Sequence, residues 1–230
     1  KIVHIHPGPE EIGRIYNPHL GITANPIEFV NILNNALKGL NTKPLESIAS
    51  DTLEAHDDYI NWGDMPLEAP NSGVDLTSAF RTLREKLEPD TIITNGAGNY
   101  AVWGHRLFRF SKVKTQLAPI SGSMGYGLPA AIAAKLRFPD QMVIALAGDG
   151  CFQMTENELA TAVQYNAGVI IFVIDNEMYG TIRMHQHKNY KGKYKHTGLV
   201  NPNFADLATA MGGKGYRVEN TEDFYQTFVQ

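Results

Sequence analysis

The sequence contains one cysteine, Cys151, so no intrachain disulfide can form and nothing argues for an oxidising compartment. A reducing cytoplasm is the expected location. No apolar run approaches the roughly 20 residues that span a bilayer, and the opening KIVHIHPGPEEIG lacks the layout of a signal peptide. An initiator methionine is also missing, and the sequence opens at Lys1 directly in a strand pattern, which reads as a fragment or a processed chain. An excess of basic charge is lacking: a net charge of −4 and a pI of about 6.1 give no electrostatic case for nucleic acid or an anionic membrane as partner. What is present is a 230-residue chain with 43% hydrophobic residues, enough for a sizeable core in one large or two small domains.

The most informative stretch covers residues 146–180, LAGDGCFQMTENELATAVQYNAGVIIFVIDNEMYG. An apolar strand ends at Gly148, Asp149 and Gly150, a helix-like segment follows, and a second apolar strand ends at Asp175 and Asn176. Two strand ends therefore deliver a carboxylate and a carboxamide to one sheet edge, where open parallel sheets bind ligands. The glycines permit close approach of an anion to the backbone, and Asp149 and Asn176 are hard oxygen donors of the kind magnesium accepts beside phosphates. Two other local readings stay open: a chance Gly-Asp-Gly turn, and a doubly wound nucleotide binder with these glycines on its phosphates. Two further glycine-rich segments bear on the choice. Residues 95–103 follow a short apolar strand at residues 91–94, and a helix starting near Tyr100 would aim its N-terminal dipole at an anion. Residues 121–131 carry small residues around Met124, with Pro129 suited to the first turn of a helix.

Asp149 and Asn176 lie 27 positions apart, and this spacing resembles the signature of thiamine-diphosphate-dependent enzymes. The segment Gly122, Ser123, Met124, Gly125, Tyr126, Gly127, Leu128, Pro129 is similar to the G-S/T-M-G-x-G-L-P-A-A motif of the acetolactate synthase-like members, and residues 96–103 resemble G-x-G-Q-H-x-x-W. The resemblance covers nearly all of residues 74–230. It implies an α/β fold: a doubly wound parallel sheet with helices on both faces, truncated at its C-terminal end. It also implies thiamine diphosphate and Mg2+ as cofactors. Asp149, Asn176 and the carbonyl of Met178 would ligate the metal. Gly98, Asn99, Tyr100, Gly148, Gly150 and Cys151 would contact the cofactor's diphosphate end, and Tyr179, Gly180 and Thr181 would contact the cofactor from the mouth of the pocket. Gly122, Ser123 and Met124 would hold its other end, Gly122 by a carbonyl bond to the 4′-amino group and Met124 as the wedge that keeps the cofactor bent.

Four positions depart from the family pattern. Asn99 and Tyr100 replace Gln and His, Cys151 replaces a serine whose hydroxyl meets a phosphate, and Asp175 replaces the first of two asparagines, placing a carboxylate near the metal in a position open to burial. Ile182, six residues past Asn176, stands where simple 2-oxo acid decarboxylases resemble one another in having a glutamate that protonates the intermediate. Without that donor the decarboxylated substrate stays reactive toward a second carbonyl. Thr181, Ile182 and His185 are the expected substrate-facing residues.

The function so implied is decarboxylation of a 2-oxo acid with carboligation. A non-ligating decarboxylase and a catalytically incomplete cofactor-binding fragment are the alternatives. Family members activate the cofactor with a glutamate from a separate N-terminal domain of a neighbouring subunit, so the isolated chain is expected to be inactive and the working form a homodimer or homotetramer of a longer polypeptide.

The expected organisation is a central-domain tail over residues 1–38, a surface linker over residues 39–73 and the diphosphate-binding domain over residues 74–230. Asn25 and Pro26 should start a helix through Leu37, and Leu76, Ala79, Phe80, Leu83 and Leu87 share one helical face. Thr155 and Glu158 read as a capping box for a helix over residues 156–165. Residues 215–218 read as a strand, and residues 188–196 as a solvated basic loop or a mobile lid.

Overall fold

The computed structural model describes residues 1–40, 46–65 and 67–229. The chain divides into two units, Lys1–Asp58 and Tyr59–Gln230. The smaller unit holds two short parallel strands, β1 (Val3–His6) and β2 (Leu20–Thr23), paired with Val3 opposite Leu20. Helix α1 (Pro26–Leu37) begins as its sequence directs: the Asn25 side chain accepts from Ile27 N, and Pro26 fills a first-turn position that needs no N–H donor. Helix α2 (Glu46–Asp64) runs across the division and occupies much of the segment expected to be a linker. Residues 41–45 and 66 of that segment lie outside the described residues. The Asn, Asp and Ser content suggested irregular chain, yet from Glu46 no proline and no glycine intervenes before Gly63. Leu, Ala and Glu at several positions then suffice for a helix.

The larger unit is built on four parallel strands in the order β4–β3–β5–β6. They are β3 (Ile92–Asn95), β4 (Gln116–Leu117), β5 (Val143–Gly148) and β6 (Ile170–Ile174). All six residues of β5 are buried, and their alternation assigns them to two cores. Ile144 and Leu146 join Ala79, Phe80 and Leu83 of α3 (Leu76–Lys86), Leu107 of α4 (Ala101–Leu107) and Phe224 of α10 (Thr221–Val229). Val143, Ala145 and Ala147 face the other way. Against them pack Leu128, Ala131 and Ile132 of α5 (Gly127–Arg137) and Leu159 and Ala162 of α7 (Glu158–Gln164). The doubly wound α/β sheet expected from the sequence is therefore present, with helices on both faces.

The end of α2 is fixed within this unit. Asp64 accepts from Arg84 at 3.0 Å and Arg109 at 2.6 Å, and these hydrogen bonds hold its carboxyl below the usual carboxylate range. Arg106 lies 4.9 Å over the Trp62 ring and donates to the Trp62 carbonyl.

Two local expectations are corrected. Helix α7 starts at Glu158, because the Thr155 hydroxyl donates to the Gly125 carbonyl at 2.9 Å instead of capping, and the Glu158 carboxylate accepts from Thr161. A distant backbone acceptor outcompetes the local cap. Residues 215–218 form no strand; the only pairing nearby is a bridge between Gly73 and Asn220. Gly215 passes so close to the Ala205 carbonyl that a Cβ would overlap it, and Val218 packs into the α3, α4 and α10 core.

Candidate cofactor site

The chain leaves β3 toward β4 on one side and leaves β5 toward β6 on the other, so the strand order reverses between β3 and β5. Open parallel sheets offer a crevice outside the carboxyl ends at such a switch point. An open cleft lies there. Ala97, Gly98, Asn99 and Tyr100 enter it after β3; Gly148, Asp149, Gly150 and Cys151 after β5; Asn176, Met178, Tyr179, Gly180, Thr181 and Ile182 after β6; and Met124 from the segment before α5. The lining contains one carboxylate and no lysine, arginine or histidine.

Asp149 is 2% exposed. Its Oδ1 accepts from its neighbour Gly150 N at 2.9 Å, and its Oδ2 accepts from Met178 N at 3.2 Å and Asn201 Nδ2 at 2.8 Å. A carboxylate offers about four acceptor sites, so three bonds leave one free for a cation. Asn176 Oδ1 accepts from Met178 N at 3.2 Å, closing a tight turn in which Glu177 has φ +55°. Met178 is held from outside as well: Tyr179 N donates to Thr197 O, Leu199 N donates to Glu177 O, and Met178 bridges Gly198 in antiparallel fashion. Acidic and amide oxygens with one open acceptor, beside neutral glycine backbone, form a donor set suited to Mg2+.

Two tyrosine rings line the glycine turns. A Cβ at Gly98 or Gly148 would meet the Tyr100 ring within 2.8 Å, and one at Gly150 would meet the Tyr179 ring at 2.5 Å. Tyr100 Oη is buried without a hydrogen-bond partner, and burial, together with the adjacent Cys151, pushes its phenol far above the ordinary tyrosine range. The Cys151 thiol is turned to the Ala97 carbonyl at 3.0 Å, linking the turns after β3 and β5. The start of α8 (Gly180–Tyr190) is tied to Asn99: Asn99 N donates to Thr181 Oγ1, which donates to Asn99 Oδ1, both at 3.0 Å.

Of the candidate site residues singled out in the sequence, all but Gly122, Ser123, Asp175 and His185 line this cleft. Gly122, at φ +69°, and Ser123 lie exposed beside it, with the Ser121 and Ser123 hydroxyls 2.9 Å apart. His185 is exposed on α8. Asp175 is exposed where burial was expected; its Oδ1 accepts from Glu177 N and from Asn201. The basic segment is folded back, with α8 reaching Tyr190, Arg183 lying 4.1 Å over the Tyr194 ring, and Gln186 exchanging two hydrogen bonds with Lys195. Sequence reasoning missed Asn201. Its Asn-Pro-Asn setting reads as an ordinary turn, and only the pairing of residues 197–199 with residues 177–179 brings it to Asp149.

A switch-point cleft with a buried carboxylate and no basic residue in its lining suits an anion that arrives with a divalent metal. Residues 96–230 match the family described as thiamine pyrophosphate enzyme, C-terminal TPP binding domain, and the chain belongs to that family. It is similar to the mitochondrial acetolactate synthase catalytic subunit of Aspergillus candidus, with 43% identity over 56% of this chain and 19% of that protein. The acetolactate synthase large subunits of Porphyra purpurea and Corynebacterium glutamicum are 33% and 32% identical over 97% of this chain, which spans 38% and 36% of their lengths. Family membership implies thiamine diphosphate and Mg2+ as cofactors, and the donor set around Asp149 fits them. Among the described residues no helix is long and apolar enough to cross a membrane.

Proposed function

We propose that the intact protein is a thiamine-diphosphate- and Mg2+-dependent carboligase of 2-oxo acids, acetolactate synthase-like. The observation that carries the reading is the composition of the cleft: metal-binding oxygens at its floor, no basic side chain, and an apolar residue, Ile182, in its wall. Asp149, Asn176 Oδ1 and the Met178 carbonyl hold the metal, whose charge replaces the missing lysines in neutralising a diphosphate. Met124, in the cleft lining ahead of α5, is the wedge that keeps the cofactor bent, and the Gly122 carbonyl would accept from the amino group of the cofactor's pyrimidine. When bound, the cofactor supplies the carbanion chemistry by which a 2-oxo acid loses carbon dioxide. Ile182 offers no proton, so the decarboxylated substrate persists until an acceptor carbonyl arrives. A neighbouring subunit supplies the activating glutamate, in a homodimer or homotetramer. The lone buried Cys151 suits a reducing compartment, and we place the protein in the cytoplasm.

The test is product analysis with pyruvate, thiamine diphosphate and Mg2+. The intact protein is expected to form mainly acetolactate, whereas Ile182→Glu should raise the acetaldehyde fraction on the order of 10-fold or more, because a positioned acid accelerates proton transfer about 10²-fold or better. Acetaldehyde as the main wild-type product would exclude carboligation.

A further inference from the structure

We propose that Asn201 is a positioning residue for the magnesium site, holding the Asp149 carboxylate in place by donating both protons of one carboxamide nitrogen to two carboxylates. The inference rests on Asp149 being a metal ligand. Asn201 Nδ2 lies 2.8 Å from Asp149 Oδ2 and 2.7 Å from Asp175 Oδ1. Gln153 Nε2 donates to Asn201 Oδ1 at 2.8 Å, which settles the orientation of the amide: the flipped form would face an oxygen to two anions and a nitrogen to a donor.

The two carboxylates end neighbouring strands, with Gly148 of β5 opposite Ile174 of β6. Without a donor between them, two negative charges would stand within reach of one another, and Asp149 Oδ2 would retain only the longer bond from Met178 N, at 3.2 Å. Asn201 therefore prevents the Asp149 carboxylate from turning away from Asp175. It also consumes one acceptor site, so that the carboxylate meets the metal through a single remaining lone pair. Asp175, the position at which this chain departs from the family's paired asparagines, is thereby accommodated: an acid there needs a donor, and Asn201 provides it.

A fixed carboxylate matters most for Mg2+, which requires near-ideal octahedral geometry at short distances, and less for Ca2+, which accepts looser arrangements. The experiment titrates Mg2+ and Ca2+ calorimetrically into the full chain at saturating thiamine diphosphate, and measures the melting temperature of the metal-free protein in EDTA. Asn201→Leu, close in size and without donors, is expected to raise the Mg2+ dissociation constant about 10- to 100-fold, the usual effect of removing an outer partner of a metal ligand. The Ca2+ constant should rise less, lowering the preference for Mg2+. Gln153→Leu, which frees the amide to turn, should show the same pattern with a several-fold effect. Wild-type Mg2+ affinity in both variants would overturn the proposal. So would equal losses for both ions with a lowered melting temperature, since that pattern marks a general structural role. If the wild-type chain took up neither ion with the cofactor, the functional reading itself would fail instead.

Discussion

Replacing Asp149 with alanine is expected to abolish metal-dependent binding of thiamine diphosphate, raising its dissociation constant by at least about 100-fold. Outer partners of metal ligands alone are worth 10- to 100-fold, and Asp149 is the ligand they serve. No compensating group exists in the cleft: its lining holds no other carboxylate, and no lysine, arginine or histidine could take over the diphosphate charge. Thermal stabilisation is a convenient readout. A ligand at 100 times its dissociation constant stabilises the folded state by about 2.7 kcal/mol, and that gain should vanish in the variant. The variant also leaves Gly150 N and one proton of Asn201 Nδ2 short of an acceptor, while Met178 N keeps Asn176 Oδ1, so its melting temperature in EDTA should fall as well. The comparison that matters is therefore the shift on adding cofactor and Mg2+. An undiminished shift would remove Asp149 from the metal site.

Gly127→Ala should be the most damaging of the glycine substitutions around the cleft, costing about 1–3 kcal/mol of stability. A Cβ there would lie 3.1 Å from Gly96 N, 3.2 Å from the Asn95 carbonyl carbon and 3.2 Å from Leu146 O. All three are backbone atoms at the ends of β3 and β5, so none can rotate aside. Helix α5 would have to withdraw, and the buried bond from Thr94 Oγ1 to the Gly127 carbonyl, 2.7 Å long, would stretch with it. Gly148→Ala provides the contrast. Its Cβ would meet Cδ1 and Cε1 of Tyr100 at 2.8 and 3.0 Å, atoms of a side chain and not of the backbone. Urea unfolding of the two variants should rank Gly127→Ala as the less stable. The reverse order would contradict the packing described for the start of α5.

The sheet and its cleft were legible because their signals are local. The buried run of β5 is continuous, β3 and β5 end in asparagine and glycine while β6 is followed at once by Asp175 and Asn176, and Met124 sits between small residues in a motif with fixed spacing. Features set by distant partners were not. Thr155 reads as a cap until the Gly125 carbonyl is placed beside its hydroxyl. Residues 215–218 alternate like a strand but have no ladder to join. The polar residues of the stretch that holds α2 give no helical signal, and the last residue of that helix, Asp64, is fixed by Arg84 and Arg109 from elsewhere in the chain. Asn201 is the clearest case, since 52 residues separate it from Asp149 and a bridge at Gly198 brings them together. Departures from the family pattern were visible but their consequences were not: Asp175 is exposed and satisfied, and the Cys151 thiol is committed to the Ala97 carbonyl.

The central claim is that this cleft takes a diphosphate only in company with a divalent metal, and that the diphosphate belongs to thiamine. Calorimetric titration of thiamine diphosphate into the protein, with Mg2+ and then with EDTA, tests it most directly, with a nucleoside diphosphate and Mg2+ as the comparison. Saturable binding of thiamine diphosphate that disappears in EDTA, and no comparable binding of the nucleotide, is the predicted result. Binding that survives chelation, or a nucleotide that binds where thiamine diphosphate does not, would contradict it.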